Sequence, residues 1–362
     1  MLTNVLSEYN IDYDRCLISS IGNGLINHTW KISFQNKEFI LQRVNNDVFK
    51  NPKDIDSNIN LLSDYFHHKF PEYAFVSPIR TVKGETLIYI NNYGYYRLYP
   101  FVKNSYTHIV TKNIKQAYEA AKQFGKFTRL SAGFPQEKLK VVIADFHNLS
   151  LRCVSLQESI KNANINRLHK AEAVIDYLLK HTEITAVYEQ LLQNNEFKIR
   201  VTHYDTKISN ILFNIHDEGL CVIDLDTVMP GYFISDFGDM IRTYISPVSE
   251  EEVNVNKIEF REDYFKAIVG GYLSEMKDEL SKAELEHIVY SGKFMLYMQA
   301  VRFLTDYLNN DIYYTTHYET HNLVRAINQI TLLEILLKKE NILNNIVKEL
   351  LKKCSAISCR SY

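Results

Sequence analysis

The sequence predicts an α+β protein of two lobes, with a small, mostly antiparallel sheet first and a larger, mainly helical region after it. Runs with strand-like composition fall within the first hundred residues. After about residue 104 the apolar residues recur at helical spacing, and only residues 199–226 depart from that pattern. We therefore expect an N-terminal lobe at 1–97, a connector at 98–104 and a helical lobe at 105–362.

The first lobe is predicted to contain one helix between its second and third strands. Apolar residues at Ile55, Ile59 and Leu62 have helical spacing, and Pro52 stands where the first turn of a helix tolerates proline. Turn residues such as Gly84 separate the strand-like runs. The predicted strands cover residues 25–34, 37–44, 85–90 and 95–102, and the helix covers 52–69.

In the second lobe, apolar residues with a period of about 3.6 predict a series of amphipathic helices. The exception at 199–226 is two short apolar strands joined by a turn at 217–219, which predicts a β-hairpin within a helical lobe. The predicted helices cover residues 117–130, 167–194, 261–278, 282–308, 320–338 and 341–353.

Charge and cysteine content exclude several classes of protein. The 41 Lys and Arg residues nearly balance the 43 Asp and Glu residues, so no overall positive field favours nucleic acid or an anionic membrane as partner. The five cysteines are scattered without a CxxC pair, which is typical of reduced thiols. The first residues do not have the pattern of a secretion signal. We therefore expect a cytoplasmic protein without a nucleic-acid or membrane partner.

The hairpin carries the strongest chemical motif, the segment HYDTKISN at 203–210 followed by Asp224. Phosphoryl transfer needs a carboxylate to orient and deprotonate the attacking hydroxyl, and oxygen ligands to hold Mg²⁺ on the phosphates. Asp205 is the predicted base, and Asn210 and Asp224 are the predicted metal ligands. Lys207 is predicted to neutralise charge on the transferred phosphoryl group. The alternative is that these residues merely cap a turn and end a strand.

Two further residues of this region are predicted to support the catalytic loop. We interpret His203 as structural, because a histidine that opens such a loop more often packs than reacts. The segment SDFGD at 235–239 contains the letters of the protein-kinase metal motif, but Asp236 lies 31 residues after Asp205 and beyond a turn. We therefore predict that Asp236 holds backbone amides of the loop and does not bind metal.

The N-terminal lobe contains the predicted nucleotide-binding residues. Gly22 and Gly24 lie in a predicted strand–turn–strand, where backbone N–H groups can approach phosphate, although a plain hairpin turn explains them equally well. In the next strand either Gln42 or Arg43 is predicted to reach the phosphates, since alternation lets only one face inward. The helix at 52–69 has no Glu to pair with that residue, and Asp56 or Asn58 is the candidate substitute. Tyr99 and Phe101, near the connector, complete the predicted nucleotide site.

Taken in order, these residues resemble the superfamily of aminoglycoside phosphotransferases and choline kinases, which are small-molecule kinases with a protein-kinase-like fold. The segments GNGLINHT, FILQRVN, VTHYDTKISNILF and VRFLTDYLNNDIYY resemble more specifically the N-acetylhexosamine 1-kinase branch of bacteria. That resemblance is collinear from about residue 20 to residue 335.

The resemblance implies an ATP- and Mg²⁺-dependent kinase that phosphorylates the anomeric hydroxyl of N-acetylglucosamine or N-acetylgalactosamine. It also implies that Asn27, Arg302 and Tyr313 surround the sugar. Two positions depart from that branch, which commonly has His in place of Leu25 and Asn in place of Tyr204. Both changes affect the expected acceptor site.

Several alternatives remain open at this point. A kinase of the same fold could use another sugar, choline, ethanolamine or an aminoglycoside as acceptor, because fold does not fix substrate. A non-catalytic nucleotide-binding protein is a further alternative. Arg302 lies among apolar residues of a predicted helix, so it either pairs with Asp306 one turn later or reaches into a pocket.

Overall fold

The N-terminal sheet has five antiparallel strands, and their order across the sheet follows the sequence except that the last two strands are exchanged. In this computed structural model, residues 1–21 and 27–358 are described, with side chains through residue 353. A short helix, α1 (Leu2–Ser7), supplies buried residues to the core of the sheet. The strands are β1 (Leu17–Ser20), β2 (His28–Phe34), β3 (Lys37–Arg43), β4 (Ile88–Ile90) and β5 (Gly94–Pro100).

The two faces of this sheet have different roles because successive side chains of a strand point to opposite sides. Leu41 of β3 pairs with Leu98 of β5, and both are fully buried in the core that α1 covers. Ile40 and Gln42, on the opposite face of β3, line a cavity beneath the sheet. The predicted strands are present, while the mostly exposed β1 was not predicted.

Helix α2 (Pro52–Lys69) has the predicted bounds, but it belongs to the core of the larger lobe. Its residues Ile55, Ile59 and Phe66 join the main hydrophobic cluster of the helical region. Asn58 ties the helix there, because its amide nitrogen donates to the carbonyls of Lys140 and Val228. The helix therefore links the two lobes.

The second lobe is mainly helical, as predicted, and its core is one large hydrophobic cluster. None of the helices in the described parts of the chain is long and apolar enough to cross a bilayer. The helices are α3 (Ile114–Leu130), α4 (Leu149–Asn162), α5 (Ile165–Lys180), α6 (Glu183–Leu192), α7 (Phe233–Tyr244), α8 (Glu262–Met276), α9 (Lys282–Glu286), α10 (Ile288–Leu308) and α11 (His321–Ser358).

Four of the predicted helical segments need correction. The segments 167–194 and 282–308 each form two helices, and the second break falls at His287, whose backbone leaves the helical conformation after the capping box of Ser281 and Glu284. The segments 320–338 and 341–353 form one continuous helix, α11. Helices α4 and α7 were not predicted.

Four short strands in the helical lobe hold the catalytic motif. The predicted hairpin is present as the antiparallel pair β7 and β8, and β6 pairs with β9 beside it. The chain runs β6, loop, β7, β8, loop, β9, so the two pairs bring both loops to one end of the small sheets. The strands are β6 (Arg200–Thr202), β7 (Ile211–Phe213), β8 (Gly219–Val222) and β9 (Met229–Gly231).

Candidate active site

The loop at 203–210 lies beside the loop that contains Asp224, as the strand pairing requires. The backbone N–H of Ile223 donates to the carbonyl of Asn210 over 2.9 Å, which joins the ends of the two loops. Asn210 and Asp224 both line the cavity between the sheet and the helical lobe. Two predicted metal ligands, one before β7 and one after β8, therefore lie at the same cavity.

Asp205 is held by two neighbours that both contact the same carboxylate oxygen. Lys207 Nζ lies 2.7 Å from Oδ2, and Asn210 Nδ2 donates to Oδ2 over 3.0 Å. Burial raises the pKa of Asp205, but the ammonium of Lys207 and the bond from Asn210 outweigh it and hold that pKa below its usual value. Among the described residues no hydrogen-bond donor contacts Oδ1 of Asp205. The carboxylate is thus ionised and has one oxygen available to a substrate.

Asp224 faces the cavity with no hydrogen bond or ion pair from any described residue. Its backbone is left-handed (φ 60°, ψ 62°), a region that Asp adopts more readily than most residues. Desolvation in the cleft and the nearby carboxylate of Asp226 raise the pKa of Asp224 above its usual value, while Lys207 lowers it. The amide nitrogen of Asn210 donates to Asp205, so the amide oxygen is the group of Asn210 that can bind a metal. One carboxylate and one amide oxygen fit Mg²⁺, which takes few protein ligands beside substrate phosphates.

His203 is fully buried, and both of its ring nitrogens contact backbone groups of the two loops. Nδ1 accepts from the N–H of Asp205 over 3.3 Å, and Nε2 is 3.1 Å from the carbonyl of Ile223. These contacts require the neutral ring with its proton on Nε2. Burial lowers the pKa of His203 to about 4. Both contacts are with backbone groups at the two loops, as a structural role of His203 would require.

Stability should depend on pH through His203. The pKa of His203 is 6.5 in the unfolded chain and about 4 in the folded protein. Its contribution to the free energy of unfolding is therefore fully present above pH 6.5, and it is lost as the pH falls toward 4. Between these pH values the free energy of unfolding of the wild type should fall by about 3 kcal/mol more than that of His203→Gln. Urea unfolding of both proteins at several pH values measures the difference, and parallel pH curves would contradict the assignment.

Two acidic residues at the start of α7 hold the catalytic loop by its backbone. Asp236 accepts from the N–H groups of His203 (2.9 Å) and Tyr204 (2.7 Å), the kind of contact predicted for it. Asp239, which the sequence analysis missed, accepts from the N–H of Thr206 over 2.9 Å. Burial raises the pKa of Asp236 to about 7, against the effect of its two backbone hydrogen bonds. The second Asp of the SDFGD segment was the available signal for Asp239.

A cavity of about 350 Å³ lies between the sheet and the catalytic hairpin. Its upper wall comes from the inner face of the sheet, and its lower wall from the two loops. Tyr99 and Phe101, predicted to bind nucleotide, both line it, as does Gln42. The other lining residues are mostly apolar and include Ile40, Val76, Val102, Leu212, Ile223 and Leu225.

Not every predicted nucleotide contact agrees with the structure. Arg43 lies on the face of β3 opposite Gln42 and does not line the cavity, because side chains alternate along the strand. Asp56 accepts from Thr86, and Asn58 binds backbone groups, so neither pairs with Gln42 or Arg43. The predictions for Gly22 and Gly24, and the departure at Leu25, concern residues outside those that the structure describes.

The ion pair that joins the lobes involves Arg97, which the sequence analysis did not identify. Its guanidinium lies 2.6 Å from Asp226 Oδ1 and is 2% exposed. Burial opposes the charge of Arg97, but Asp226 raises its pKa above the ordinary value. Asn27 Nδ2 donates to Asp226 over 2.7 Å, and its oxygen accepts from the N–H of Asn45. The structure thus places Asn27 in this network, and its contact with the sugar stays a prediction.

Arg302 lies in a group of aromatic rings. Its guanidinium carbon is 4.9 Å from the ring centre of Phe146, 5.6 Å from Tyr314 and 6.0 Å from Tyr313. Its one hydrogen-bond partner in the described chain is the neutral Gln299, at 2.7 Å, and no described carboxylate forms an ion pair with it. Tyr313 is 61% exposed. An arginine without a carboxylate partner, among rings, can donate to a neutral polar ligand.

Asp306 does not pair with Arg302. Its two carboxylate oxygens accept from the N–H groups of Tyr313 and Tyr314, each over 2.9 Å. Asp306 therefore holds the backbone of Tyr313 and Tyr314 in place. An ion pair between Arg302 and Asp306, which was one of the two alternatives for Arg302, is excluded.

Tyr204 connects this aromatic group to the catalytic loop. Its ring centre lies 6.0 Å from Phe146 and 5.0 Å from His147, and its hydroxyl donates to the carbonyl of Pro230. A Cβ at Gly231 would stand 2.2 Å from that hydroxyl, so this position needs glycine. Tyr204 directly precedes Asp205, so the aromatic group lies next to the predicted base.

The chain resembles known proteins in its sequence and in its fold. Residues 18–272 match the model of the phosphotransferase enzyme family. The whole fold is similar to that of a spectinomycin phosphotransferase in complex with ADP and spectinomycin, with 16% identity over 96% of this chain and 97% of that one (TM-score 0.57). It is also similar to a choline kinase from Cryptosporidium parvum Iowa II (14% identity, 95% and 96% covered, TM-score 0.57).

A microcompartment-associated aminopropanol kinase has a similar fold too, at 13% identity over 95% of this chain and 98% of that one (TM-score 0.58). At these identities the structures establish the two-lobed fold of aminoglycoside phosphotransferases and choline kinases, and the fold prediction is confirmed. The family match covers more than half of the chain and includes the whole catalytic hairpin. The chain therefore belongs to the phosphotransferase enzyme family.

Proposed function

We propose that this protein is an ATP- and Mg²⁺-dependent kinase that phosphorylates the anomeric hydroxyl of N-acetylglucosamine or N-acetylgalactosamine. The observation that carries the proposal is the arrangement at Asp205. Its carboxylate is ionised, has Oδ1 available, and lies beside Asn210 at the cavity that Asp224 lines. This arrangement provides the base and the metal ligands that phosphoryl transfer requires.

The cavity is the proposed nucleotide site. Apolar and aromatic residues line most of it, which suits a base ring, and Asp224 and Asn210 line its polar part. We propose that the adenine stacks near Tyr99 and Phe101 and that the phosphates extend toward Asp224. The similar spectinomycin phosphotransferase binds ADP, which supports the same use of this cleft.

In the proposed reaction Asp205 Oδ1 accepts the proton of the anomeric hydroxyl, and the hydroxyl oxygen forms a bond to the γ-phosphorus of ATP. The bond between that phosphorus and the β–γ bridging oxygen breaks, and ADP leaves. Lys207 keeps Asp205 ionised and lies where its ammonium can neutralise charge on the transferred group. Asp236 and Asp239 keep the loop backbone in place.

Asn210 and Asp224 are the residues that would hold the magnesium ion. When bound, the ion supplies positive charge that neutralises the phosphates. The left-handed backbone at Asp224 directs this residue from the end of β8 toward the cavity.

The acceptor is the second part of the proposal, and Arg302 is its main support. A guanidinium without a carboxylate partner can donate to sugar hydroxyls and to an N-acetyl carbonyl, and the rings beside it suit the apolar face of a sugar. A cationic acceptor such as choline would be repelled by Arg302. The ring of Phe146 lies 4.9 Å from Arg302 and 6.0 Å from the ring of Tyr204, the residue before Asp205, and this supports an acceptor site near the proposed base.

A screen of ADP release with Mg-ATP tests the proposed function. The acceptors are N-acetylglucosamine, N-acetylgalactosamine, glucose, galactose, choline and an aminoglycoside. We expect kcat/KM for one N-acetylhexosamine to exceed that of every other class by at least ~10-fold. Preference for choline or the aminoglycoside would refute the acceptor, and no acceptor-dependent ADP release at all would refute the kinase.

Arg302→Lys tests the acceptor site directly. Lysine keeps the charge but loses the planar fork of donors, so we expect kcat/KM for the N-acetylhexosamine to fall by ~10-fold or more, with KM for ATP nearly unchanged. Steady-state kinetics with each substrate varied in turn measures both effects. Normal sugar kinetics combined with a lower melting temperature would mean that Arg302 is structural.

A further inference from the structure

We infer that Arg152 and Arg302 form a binding site for an anionic group of the acceptor, so that the preferred substrate is an N-acetylhexosamine that carries a phosphate or a carboxylate away from its anomeric carbon. The inference rests on the proposed function and narrows its substrate class. The observation behind it is that two guanidinium groups meet at Phe146, and no carboxylate in the described chain forms an ion pair with either of them.

Arg152 belongs to α4, which packs against α10, and it contacts the segment that precedes its own helix. Its Nη2 donates to the carbonyl of Asp145 over 2.8 Å and to that of Phe146 over 3.3 Å. Both bonds use the same nitrogen. Nε is buried without a hydrogen-bond partner, and Nη1 has no partner among the described residues. The carboxylate of Asp145 accepts from Asn148 and does not pair with Arg152.

Arg302 approaches the same Phe146 from α10. Its guanidinium carbon lies 4.9 Å from the ring centre of Phe146, and its hydrogen-bond partner is the neutral Gln299. Burial and the positive charge of Arg302 lower the pKa of Arg152 below its usual value. Both guanidinium groups nevertheless stay charged, because arginine does not lose its proton in proteins. Two cations that repel each other are therefore held together here, which costs free energy.

The surroundings do not relieve this repulsion. His147, next to Phe146, is 9% exposed, and its Nδ1 has no hydrogen-bond partner. Burial and the charges of Arg302, Arg242 and Arg152 hold the pKa of His147 well below its ordinary value, so the ring is neutral. Arg152 also lies near the N-terminal end of α4, where the helix dipole disfavours a cation. All these contributions favour an anion at this place.

The acidic residues of this region have other partners. Asp239 and Glu250 both pair with Arg242, and Asp306 accepts from backbone N–H groups. A ligand that brings its own negative charge would therefore complete the site, and a phosphate or carboxylate accepts several charge-assisted hydrogen bonds from guanidinium groups. A neutral sugar would leave the repulsion between the two cations in place.

The two guanidinium groups lie near the catalytic loop. Phe146, which contacts both of them, has its ring centre 6.0 Å from that of Tyr204, and Tyr204 directly precedes Asp205. A sugar whose anomeric hydroxyl contacts Asp205 would thus direct a substituent remote from C1 toward Arg152 and Arg302. The chemistry at the anomeric hydroxyl is the same for neutral and anionic sugars, and only the affinity for the rest of the acceptor differs.

The wild-type enzyme provides the first test. The acceptors are N-acetylglucosamine, its 6-phosphate, and the uronic acid in which C6 is a carboxylate, together with the same three forms of N-acetylgalactosamine. ADP release at saturating Mg-ATP gives kcat/KM for each. We expect at least one anionic sugar to exceed its neutral parent by ~10-fold or more. The two anionic forms show whether the site prefers a phosphate or a carboxylate.

The outcomes separate this inference from the proposed function. If the neutral sugars are phosphorylated at least as efficiently as all the anionic ones, the anion site is refuted and the proposed function stands. If none of the six sugars stimulates ADP release, the proposed function is refuted, and the inference that rests on it is refuted too.

Arg152→Gln tests the residue itself. Glutamine retains an amide donor for the backbone carbonyls but has no charge, so kcat/KM for the preferred anionic sugar, divided by that for its neutral parent, should fall by ~10-fold or more. Lys161→Gln removes the same charge from an exposed residue of α4 and is the matched control, which should keep the wild-type ratio. An unchanged ratio in Arg152→Gln, including an equal loss with both sugars, would contradict the inference.

A thermal melt verifies that Arg152→Gln is folded. If it is not, Arg152→Lys replaces it, because lysine keeps the charge but loses the planar fork of donors. The ratio should then fall by ~3-fold or more, and an unchanged ratio would again contradict the anion site.

Discussion

Asp205→Asn is expected to lower kcat by at least ~10², with ADP affinity and melting temperature close to those of the wild type. The asparagine side chain cannot accept the proton of the acceptor hydroxyl, so the nucleophile loses its base. Stability should change little, because the ion pair that is lost involves Lys207, whose side chain is 41% exposed. Pre-steady-state and steady-state ADP release with saturating acceptor measure the effect.

The matched control for this variant is Asp176→Asn. Asp176 is an exposed residue of α5, outside the catalytic hairpin, and the same change of charge there should leave kcat unaltered. If Asp205→Asn retained turnover near that of the control, Asp205 would not be the base, and the proposed reaction would need a different proton acceptor.

Asp224→Asn is expected to raise the Mg²⁺ concentration needed for half-maximal activity by at least ~10-fold and to weaken Mg-ATP binding. Asparagine tolerates the left-handed backbone of this position, so the loop should keep its conformation and the effect should report on charge alone. Activity measured across a Mg²⁺ series, with ATP held saturating, gives the shift.

The two variants should differ in what they affect. Asp205→Asn should keep the wild-type Mg²⁺ requirement, whereas Asp224→Asn should recover part of its turnover at high Mg²⁺. An unchanged Mg²⁺ requirement in Asp224→Asn would contradict its assignment as a metal ligand.

The sequence predicts the catalytic loop well because its contacts are local. Asp205, Lys207 and Asn210 lie within one short segment, so their spacing alone restricts which of them can meet. The bounds of α2 follow from a proline start and a regular apolar period, and the alternation along β3 allows only one of Gln42 and Arg43 to face the cavity.

The network around Asp226 could not be predicted in this way. Asn27 and Asp226 are 199 residues apart, and Arg97 and Gln42 are 55 apart. Neither pair has a sequence spacing that indicates a contact. The burial of Arg97 depends on contacts between the two lobes, so the sequence of its strand does not distinguish it from an exposed arginine. The same reason applies to Arg302. Its spacing from Asp306 allows an ion pair, but in the structure Asp306 accepts from the backbone N–H groups of Tyr313 and Tyr314 instead.

The predicted helix lengths are wrong where tertiary contacts override the local pattern of apolar residues. The single helix α11 crosses the predicted break near residue 340, where Lys339 pairs with Glu262 and Glu340 pairs with Lys293 of α10. Conversely, the capping box at Ser281 starts a short helix that ends before α10, although the apolar period continues across the break.

The position of the phosphate in the product tests the central claim most directly. N-acetylglucosamine and N-acetylgalactosamine are each incubated with Mg-ATP and the enzyme, and the product is examined by ³¹P and ¹H NMR. We expect a phosphate doublet coupled to the anomeric proton, formed together with ADP by the wild type and at least ~10²-fold more slowly by Asp205→Asn. A phosphate on another hydroxyl, or ADP released without a phosphorylated sugar, would contradict it.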